Sequence, residues 1–377
     1  MRAVWVVQPY VPRYRVPFFE GLAKVLLDDG IELRVVASLP DRAQAAREDS
    51  TTPEWLSLTR PRRLKLGSRS VVMTRTSAFW KDADAVILPL VGPSFDNYEA
   101  MGFRMRSHLA LGLWGHVKNY VSDDNILDLW SEKIQMKHSD HVFAYTQSGA
   151  DYARLQGVPG DQVTAVMNTV DLGSLRAEIE AVTDVDLQMF QEKYQLTASK
   201  AIAYIGGIDR SKRIDLLAEI MDEVWDRRPE VKFIIAGSGD QVHLLRPGIE
   251  RGQVAFLGRI DDRGKALLSR SSSVLVNPGR VGLIAAEALT MGLHVVTTRW
   301  KYHAPEIAYL EPGIDVTYSN DSAAIFADAL LEAYSRTGQQ SASVPPELGD
   351  MIQNFRSGIL RMLERRASKA QRVAKSE

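Results

Sequence analysis

Residues 277–298, NPGRVGLIAAEALTMGLHVVTT, begin at the end of a strand, turn at Pro-Gly, run as a helix to Gly292 and continue as a β-branched strand. One carboxylate, Glu287, stands among the apolar residues of that helix. Strand, turn, helix and strand in so few residues is the crossover unit of a parallel sheet whose faces are covered by helices. The alternation extends to both sides. Upstream lie AIAYIGG (201–207), the amphipathic KRIDLLAEIMDEVW, and the strands VKFIIAGSG, VAFLGR and SVLVNPG; downstream lie HVVTTR and the helix SAAIFADALLEAY. The start of the chain behaves in the same way: RAVWVVQP ends at a proline, FFEGLAKVLLDDG has helical spacing closed by glycine, and IELRVVAS is a further strand. AVILPL (85–90), LALGLWG (109–115) and HVFAYT (141–146) continue this half, and VTAVMNTVD closes it. Residues 172–198 carry no strand signal, so the reading is an α/β chain of two Rossmann-like halves. From about Asp350 to Glu377, Met351, Phe355, Ile359 and Leu363 recur four apart among arginines and lysines, which predicts one long basic helix. GQQSASVPP (338–346) reads as a surface linker before it.

At 377 residues the chain is long enough for two hydrophobic cores. It contains no cysteine, which removes disulfides, thiolate metal sites and cysteine redox chemistry. With 25% charged residues and a formal net charge of −1, nucleic acid is not an expected partner, and any anion must be met locally. The start MRAVWVVQPYVPRYR places an arginine-rich loop where a signal peptide needs its apolar core, and no apolar run is long enough to span a bilayer. The expected location is cytoplasmic, with peripheral contact on the inner face of the plasma membrane as one possibility. That contact would use the acid-free run RPRRLKLGSRSVVMTR (60–75) and the basic tail helix; two solvated surfaces are the plain alternative.

Ligands of parallel sheets sit beyond the C-terminal ends of the strands, where helix N-termini favour anions. GSGDQV after VKFIIA has the first two glycines of a dinucleotide fingerprint, with Val242 in the place of the third. QPYVPRYR after the first strand has no glycine, which argues against a dehydrogenase. GGIDRSKRIDLL sets Arg210, Lys212 and Arg213 at the start of a helix, a pattern that suits a diphosphate or, more plainly, a solvated basic turn. Glu287 lies about a turn and a half inside the helix entered from NPGRVG, where a carboxylate can accept two hydrogen bonds from vicinal hydroxyls. A lone glutamate there is more commonly a half-exposed flank residue.

Taken together, these pieces resemble the retaining glycosyltransferases of the GT-B fold, specifically family 4. NTVDL (168–172) looks like the family's Asn-Gly-Val-Asp, and YIGGIDRSKRIDLL its Gly-Arg-Leu…Lys-Gly stretch. FIIAGSGD resembles the strand and glycine pair that follow, VAFLGRIDD the Phe-Leu-Gly loop, and VNPGRVGLIAAEALTMGLHVV the donor motif. The resemblance implies two facing Rossmann-like domains with a cleft between them: an acceptor-side domain at 1–171, a nucleotide-sugar domain at 172–350, and the basic helix 351–377 packing back on the first. It implies Lys212 on the donor diphosphate, Glu287 on the ribose hydroxyls, backbone groups of Gly282 and Leu283 on the diphosphate, and Ile260 at the nucleobase. His116, in GLWGHVKN, is similar to a first-domain histidine that contacts the donor sugar, so His116 and Glu287 are the expected catalytic pair.

Two positions depart from the family. Gly207 stands where an arginine is usual, leaving Arg210 or Arg213 as substitutes, and Gly279 holds the place of a glutamate that commonly contacts the transferred sugar. The glycine-rich first-domain loop is replaced by QPYVPRYRVPFF, where Arg13, Tyr14 and Arg15 are expected to reach donor phosphate or acceptor. WKYHAPEIAYLEPG (300–313) resembles a Pro-Glu segment of some cell-envelope transferases. No metal site is expected: Asp82-Ala83-Asp84 precedes its strand, Asp184 and Asp186 lie in the linker, and His138 and His141 lack a third ligand. No Gly-x-Ser-x-Gly elbow is present. The expected activity is metal-independent transfer, with retention, of a sugar from a nucleoside diphosphate sugar to a glycan, lipid-linked or small-molecule acceptor in polysaccharide or secondary-metabolite biosynthesis. The donor is a co-substrate and no cofactor is expected. A sugar-nucleotide epimerase of the same build and a non-catalytic sugar-nucleotide binder are the alternatives.

Overall fold

Short β-branched runs alternating with amphipathic helices produce two parallel sheets. The computed structural model describes residues 1–40, 49–60, 62–66, 69–73, 75–92, 94–117, 126–196, 200–336 and 343–374. The chain divides into two units, Met1–Val170 with Glu347–Glu377, and Asp171–Pro346.

Unit 1 contains β1 (Arg2–Gln8), α1 (Val16–Asp28), β2 (Ile31–Ser38), β3 (Leu56–Thr59), β4 (Arg62–Leu66), β5 (Arg69–Met73), α2 (Ser77–Trp80) and β6 (Ala85–Pro89). It continues with α3 (Phe95–Arg106), β7 (Ala110–Gly115), α4 (Ile126–His138), β8 (His141–Ala144), α5 (Gln147–Leu155) and β9 (Val163–Ala165). Seven strands pair in the order β3-β2-β1-β6-β7-β8-β9, all parallel, so the order reverses between β1 and β6. Two apolar clusters cover the sheet, one around Val4, Val6, Phe18 and Trp114, the other around Trp5, Trp80, Val86 and Leu111. The sequence pattern passed over β3 and over the antiparallel hairpin β4–β5, which occupies the stretch read as a basic surface run. The side chains of residues 61–74 lie outside those described.

Unit 2 contains α6 (Gly173–Ala181), α7 (Asp184–Lys193), β10 (Ala201–Ile205), α8 (Ile214–Arg227), β11 (Phe233–Ala236), α9 (Arg246–Glu250) and β12 (Val254–Gly258). Then follow α10 (Asp262–Arg270), β13 (Ser272–Val276), α11 (Ile284–Met291), β14 (His294–Thr298), β15 (Val316–Ser319) and α12 (Ala323–Ser335). Six parallel strands run β12-β11-β10-β13-β14-β15, and the order reverses between β10 and β13. Such a reversal leaves a crevice at the C-terminal ends of the two central strands, because their following helices cross to opposite faces. The 3.6-residue periodicity of α8 buries Leu216, Leu217, Ile220, Met221 and Val224 on one side of the sheet, while α11 buries Ala285, Ala288 and Leu289 on the other. The edge strand β15, VTYS, was not apparent in the sequence pattern. Part of the segment read as a linker, residues 338–342, lies outside the described residues.

The chain ends in α13 (Leu348–Ala374), which packs on unit 1 against α1, β7, β8 and β9. Met351, Phe355, Ile359, Met362 and Leu363 are buried there, and the Phe355 ring stacks on Phe143 at 4.5 Å. Burying side chains of this size stabilises by about 1.5–3 kcal/mol each. The polar side of the helix also makes contacts to unit 1. Arg356 forms a two-pronged ion pair with Asp29 at 2.6 Å, Arg361 donates to Thr164 Oγ1, and Arg365 pairs with Asp161. Arg366 donates to the backbone oxygens of Arg104 and Ser107. Four basic residues of the tail thus have partners on unit 1.

Candidate functional site

In unit 2 the chain leaves β10 through Gly206-Gly207-Ile208-Asp209 and a short turn at Arg210–Lys212 before α8. The Tyr204 hydroxyl donates to the Gly207 carbonyl at 2.6 Å, and burial holds its pKa well above the usual tyrosine value, so the donor stays protonated. Gly239 lets the neighbouring loop after β11 lie directly on this one: a Cβ there would stand 2.1 Å from the Ile208 carbonyl oxygen. The GSG sequence is therefore used for close packing of two loops.

The loop after β13 crosses the reversal point and meets the loop after β10. The Arg280 amide donates to the Ser211 carbonyl at 2.9 Å, and Lys212 Nζ donates to the Arg280 carbonyl. Gly279 lies against the Lys212 backbone so closely that a Cβ would come within 2.3 Å of its carbonyl carbon. No side chain fits at Gly279, which accounts physically for the missing carboxylate. Hydroxyls of β14 hold the same loop from below: Thr297 donates to the Asn277 carbonyl at 2.6 Å and Thr298 to the Pro278 carbonyl at 2.9 Å.

Gly282 and Leu283 then lead into α11. The amides of Gly282, Leu283 and Ile284 precede the helix's own i→i−4 ladder, so this end is rich in N–H donors. Glu287, one turn further, is half-buried, and its Oε1 accepts from Lys265 Nζ of α10 at 2.7 Å. Lys265 also donates to Asp262 at 3.1 Å. Burial works against the Lys265 ammonium, but the Glu287 and Asp262 carboxylates outweigh it and raise its pKa. Ile260, half-buried, stands immediately before Asp261, which caps α10 by accepting from the Gly264 amide at 2.8 Å. The structure thus gathers Lys212, Gly279, Gly282, Leu283 and Glu287 around one crevice edge, with Ile260 on the loop that leads to Lys265. Of the two arginines expected to replace the missing one at Gly207, Arg210 is exposed. Arg213, in a left-handed conformation with φ 54°, is committed to Asp321 at 2.7 Å and lies over the Trp300 ring. Lys265 was missed because RGKALL reads as a solvated helix start, and nothing local connects it to Glu287.

In unit 1, Arg13 and Tyr14 are exposed on the loop after β1. Arg15 corrects the expectation that it reaches phosphate or acceptor. It is 4% exposed, donates to Asn168 Oδ1 at 2.5 Å and faces Met351 Sδ, with the rings of Trp114, Tyr14 and Tyr145 at 5.1, 5.4 and 5.8 Å. His116 follows β7, half-buried, with its ring 4.7 Å from that of Tyr145. Beside it a cavity of about 280 Å³ opens, lined by Val117, Trp130, Met136 and Tyr152 among others. Lys118 and Asn119 of the same stretch lie outside the described residues. Among the described residues, no group of His, Asp and Glu gathers in a way that would hold a metal ion, and no helix is long and apolar enough to cross a membrane.

Residues 199–336 match the family model described as "Glycosyl transferases group 1". A phosphatidyl-myo-inositol mannosyltransferase of Mycobacterium tuberculosis is 30% identical over 175 residues, which covers 42% of this chain and 45% of that protein's own length. Among solved structures, the Anabaena protein HepE in complex with UDP superposes with a TM-score of 0.64 at 14% identity, covering 100% of both chains. A UDP-GlcNAc 2-epimerase from Neisseria meningitidis bound to UDP-GlcNAc superposes at 0.61 and 14% identity, covering 96% of this chain and 100% of that one. At these identities the structural likeness establishes the fold: an α/β pair of Rossmann-like units. Residues 199–336, the part that builds the crevice loops of unit 2, are thus similar to the group 1 glycosyl transferases, and the chain as a whole shares the fold of these structural neighbours.

Proposed function

We propose that the chain is a glycosyltransferase that takes a sugar from a nucleoside diphosphate sugar and passes it, with retention of anomeric configuration and without a divalent ion, to a hydroxyl of a cell-envelope glycan or lipid acceptor. The observation that carries this reading is the crevice edge of unit 2, where Lys212, on the connection after β10, stands with the donor-rich start of α11 and the Glu287 carboxylate, on the connection after β13, at one reversal point. Lys212 and the amides of Gly282 and Leu283 bind the diphosphate; Glu287, with one oxygen held by Lys265, accepts from the ribose hydroxyls. Ile260 borders the base and Arg210 adds charge to the phosphates. Of unit 1, His116 is assigned to the sugar, and Arg13 and Tyr14 to the acceptor. In the reaction the bond between the sugar's C1 and the diphosphate oxygen breaks, the leaving diphosphate keeps the electron pair, and the acceptor oxygen bonds C1 on the same face while its proton passes to the departing diphosphate oxygen. The positive charge of Lys212 and the helix N-terminus stabilises the leaving group.

The mannosyltransferase relative's name favours a hexose donor and a lipid acceptor, and the hairpin β4–β5, with Arg62, Arg63, Lys65 and Arg69 in its sequence, would hold the protein to anionic lipid. The reading is tested by incubating the full chain, in chelator, with labelled UDP-, GDP- and ADP-hexoses and vesicles containing phosphatidylinositol. A retained glycosidic product by NMR supports it, and an inverted anomeric centre contradicts it. The second reading, epimerisation of a sugar nucleotide, is favoured by the epimerase among the structural neighbours. It predicts an isomerised nucleotide sugar with no acceptor consumed.

A further inference from the structure

The loop after β14 carries His303, 6% exposed, whose two ring nitrogens meet backbone groups of opposite kind. Nδ1 accepts from the Val281 amide at 3.1 Å, and Nε2 faces the Thr298 carbonyl oxygen at 2.7 Å. An N–H needs an acceptor and a carbonyl needs a donor, so the contacts fix the neutral tautomer with its proton on Nε2. The next residue reinforces the grip: the Ala304 amide donates to the Val281 carbonyl at 2.8 Å. Both backbone polar groups of Val281 are therefore held from this loop, one residue before Gly282.

We propose that His303 is a positioning residue for the diphosphate site, its neutral ring fixing Val281 and thereby aiming the amides of Gly282 and Leu283 at the start of α11. The proposal rests on the reading of unit 2 as a nucleoside diphosphate site. An apolar residue of the same size would fill the space but leave the buried Val281 amide without its acceptor. The aim of the next two amides would then be set only by the chain on either side.

The charges around the ring act in the same direction. Lys212 from the loop after β10 and Arg280 from the loop after β13 face it; on its own loop Lys301 is exposed over the Tyr302 ring, and Glu306 is buried. Burial first, then Lys212 and Arg280, lower its pKa from 6.5, against the opposing pull of the Thr298 carbonyl. A histidine with a lowered folded-state pKa contributes its stabilisation above the unfolded value and loses it as pH falls below 6.5 toward the folded value. Protonation would turn an N–H on Nδ1 against the Val281 N–H and release the loop.

Two substitutions separate the ring's contacts. His303→Asn places an amide oxygen near the Nδ1 position, where it can accept from Val281; His303→Gln places an amide nitrogen near Nε2 and offers Val281 nothing. Calorimetry on the full chain would use whichever of UDP, GDP and ADP binds the wild type most tightly. At pH 7.5 His303→Gln is expected to lose about tenfold in affinity and His303→Asn less than about threefold. As the pH is lowered below 6.5 and through the lowered folded-state value of the ring, the wild type should lose its advantage over His303→Asn, while protonation of the nucleotide itself affects both alike. Equal affinities for the Asn and Gln variants, or a wild-type to Asn ratio that does not change with pH, would overturn the proposal. If the Gln variant does not fold, the pH ratio decides alone. Should none of the three nucleotides bind the wild type, the underlying reading of the site fails; normal wild-type binding with indifferent variants would remove only His303.

Discussion

Each parallel sheet has a basic loop after its central first strand, Arg13-Tyr14-Arg15 after β1 and Arg210-Ser211-Lys212-Arg213 after β10, and the two loops treat their cations in opposite ways. In unit 1, Arg15 turns into the core, where Asn168, a ring of aromatic faces and Met351 receive it. In unit 2, Lys212 stays at the crevice edge and bonds across the reversal point to the loop after β13. Topological position is the same; the difference lies in what the rest of the unit offers. α13 closes over unit 1 and brings Met351 and Phe355 against the Arg15 cage, whereas the buried residues of α8 face the sheet and leave the turn before it partly open. The Arg15 cation is enclosed by buried partners, whereas Lys212, bonded to the Arg280 carbonyl, stays only half-buried.

The sharpest way to break this contrast is to force a side chain into the junction that Lys212 spans. Gly279→Glu would restore a carboxylate to the donor motif, but its Cβ would collide with the Lys212 backbone. Loss of more than about a hundredfold in nucleotide affinity and about 3 kcal/mol of stability is expected, because overpacked atoms must displace main chain. Calorimetry and denaturant unfolding check it; a variant with improved binding would show that the two loops separate freely.

Removing the unit 1 cation should do the reverse. Arg15→Ala deletes a buried side chain and takes the donor from Asn168, so unfolding should become easier by about 2–3 kcal/mol while nucleotide affinity at 10 °C stays within about twofold. Chemical denaturation followed by tryptophan fluorescence measures the first part and titration the second.

This contrast also marks where the sequence stops being informative. The strands β10, β11, β13 and β14 are short runs rich in β-branched and other apolar residues and were legible, as was the buried face of α13. The four-residue strands β3 and β15, LSLT and VTYS, sit at sheet edges and carry too few apolar residues to stand out. Arg15 could not be assigned locally because its partners are 153 and 336 residues away. The arginines of α13 read as a basic face because Asp29, Asp161 and Thr164 are equally distant in sequence. In the crevice of unit 2 the chain order displayed the loops, but the Lys265 partner of Glu287 and the clamp of His303 on Val281 depend on packing between elements.

A smaller effect is expected at Glu287. Glu287→Gln keeps the volume but gives up the charge that strengthens hydrogen bonds from ribose hydroxyls, so the preference for a ribonucleoside over a 2′-deoxyribonucleoside diphosphate should fall by about tenfold. An unchanged ratio would make Glu287 only the ion-pair partner of Lys265. The smallest effect belongs to the surface of unit 1. Arg365→Ala removes an ion pair with Asp161, whose side chain is 68% exposed, and should change stability by about 0–1 kcal/mol without altering nucleotide binding.

The most direct measurement is a calorimetric titration of wild type, Lys212→Ala and Arg15→Ala with the nucleoside diphosphate that binds the wild type most tightly among UDP, GDP and ADP. Loss of a charged contact to phosphate is worth about 1.5–3 kcal/mol, so Lys212→Ala should bind roughly tenfold to a hundredfold more weakly while Arg15→Ala binds as the wild type does. Unchanged binding by Lys212→Ala, with a loss in folded Arg15→Ala instead, would place the anion site in unit 1 and contradict the account.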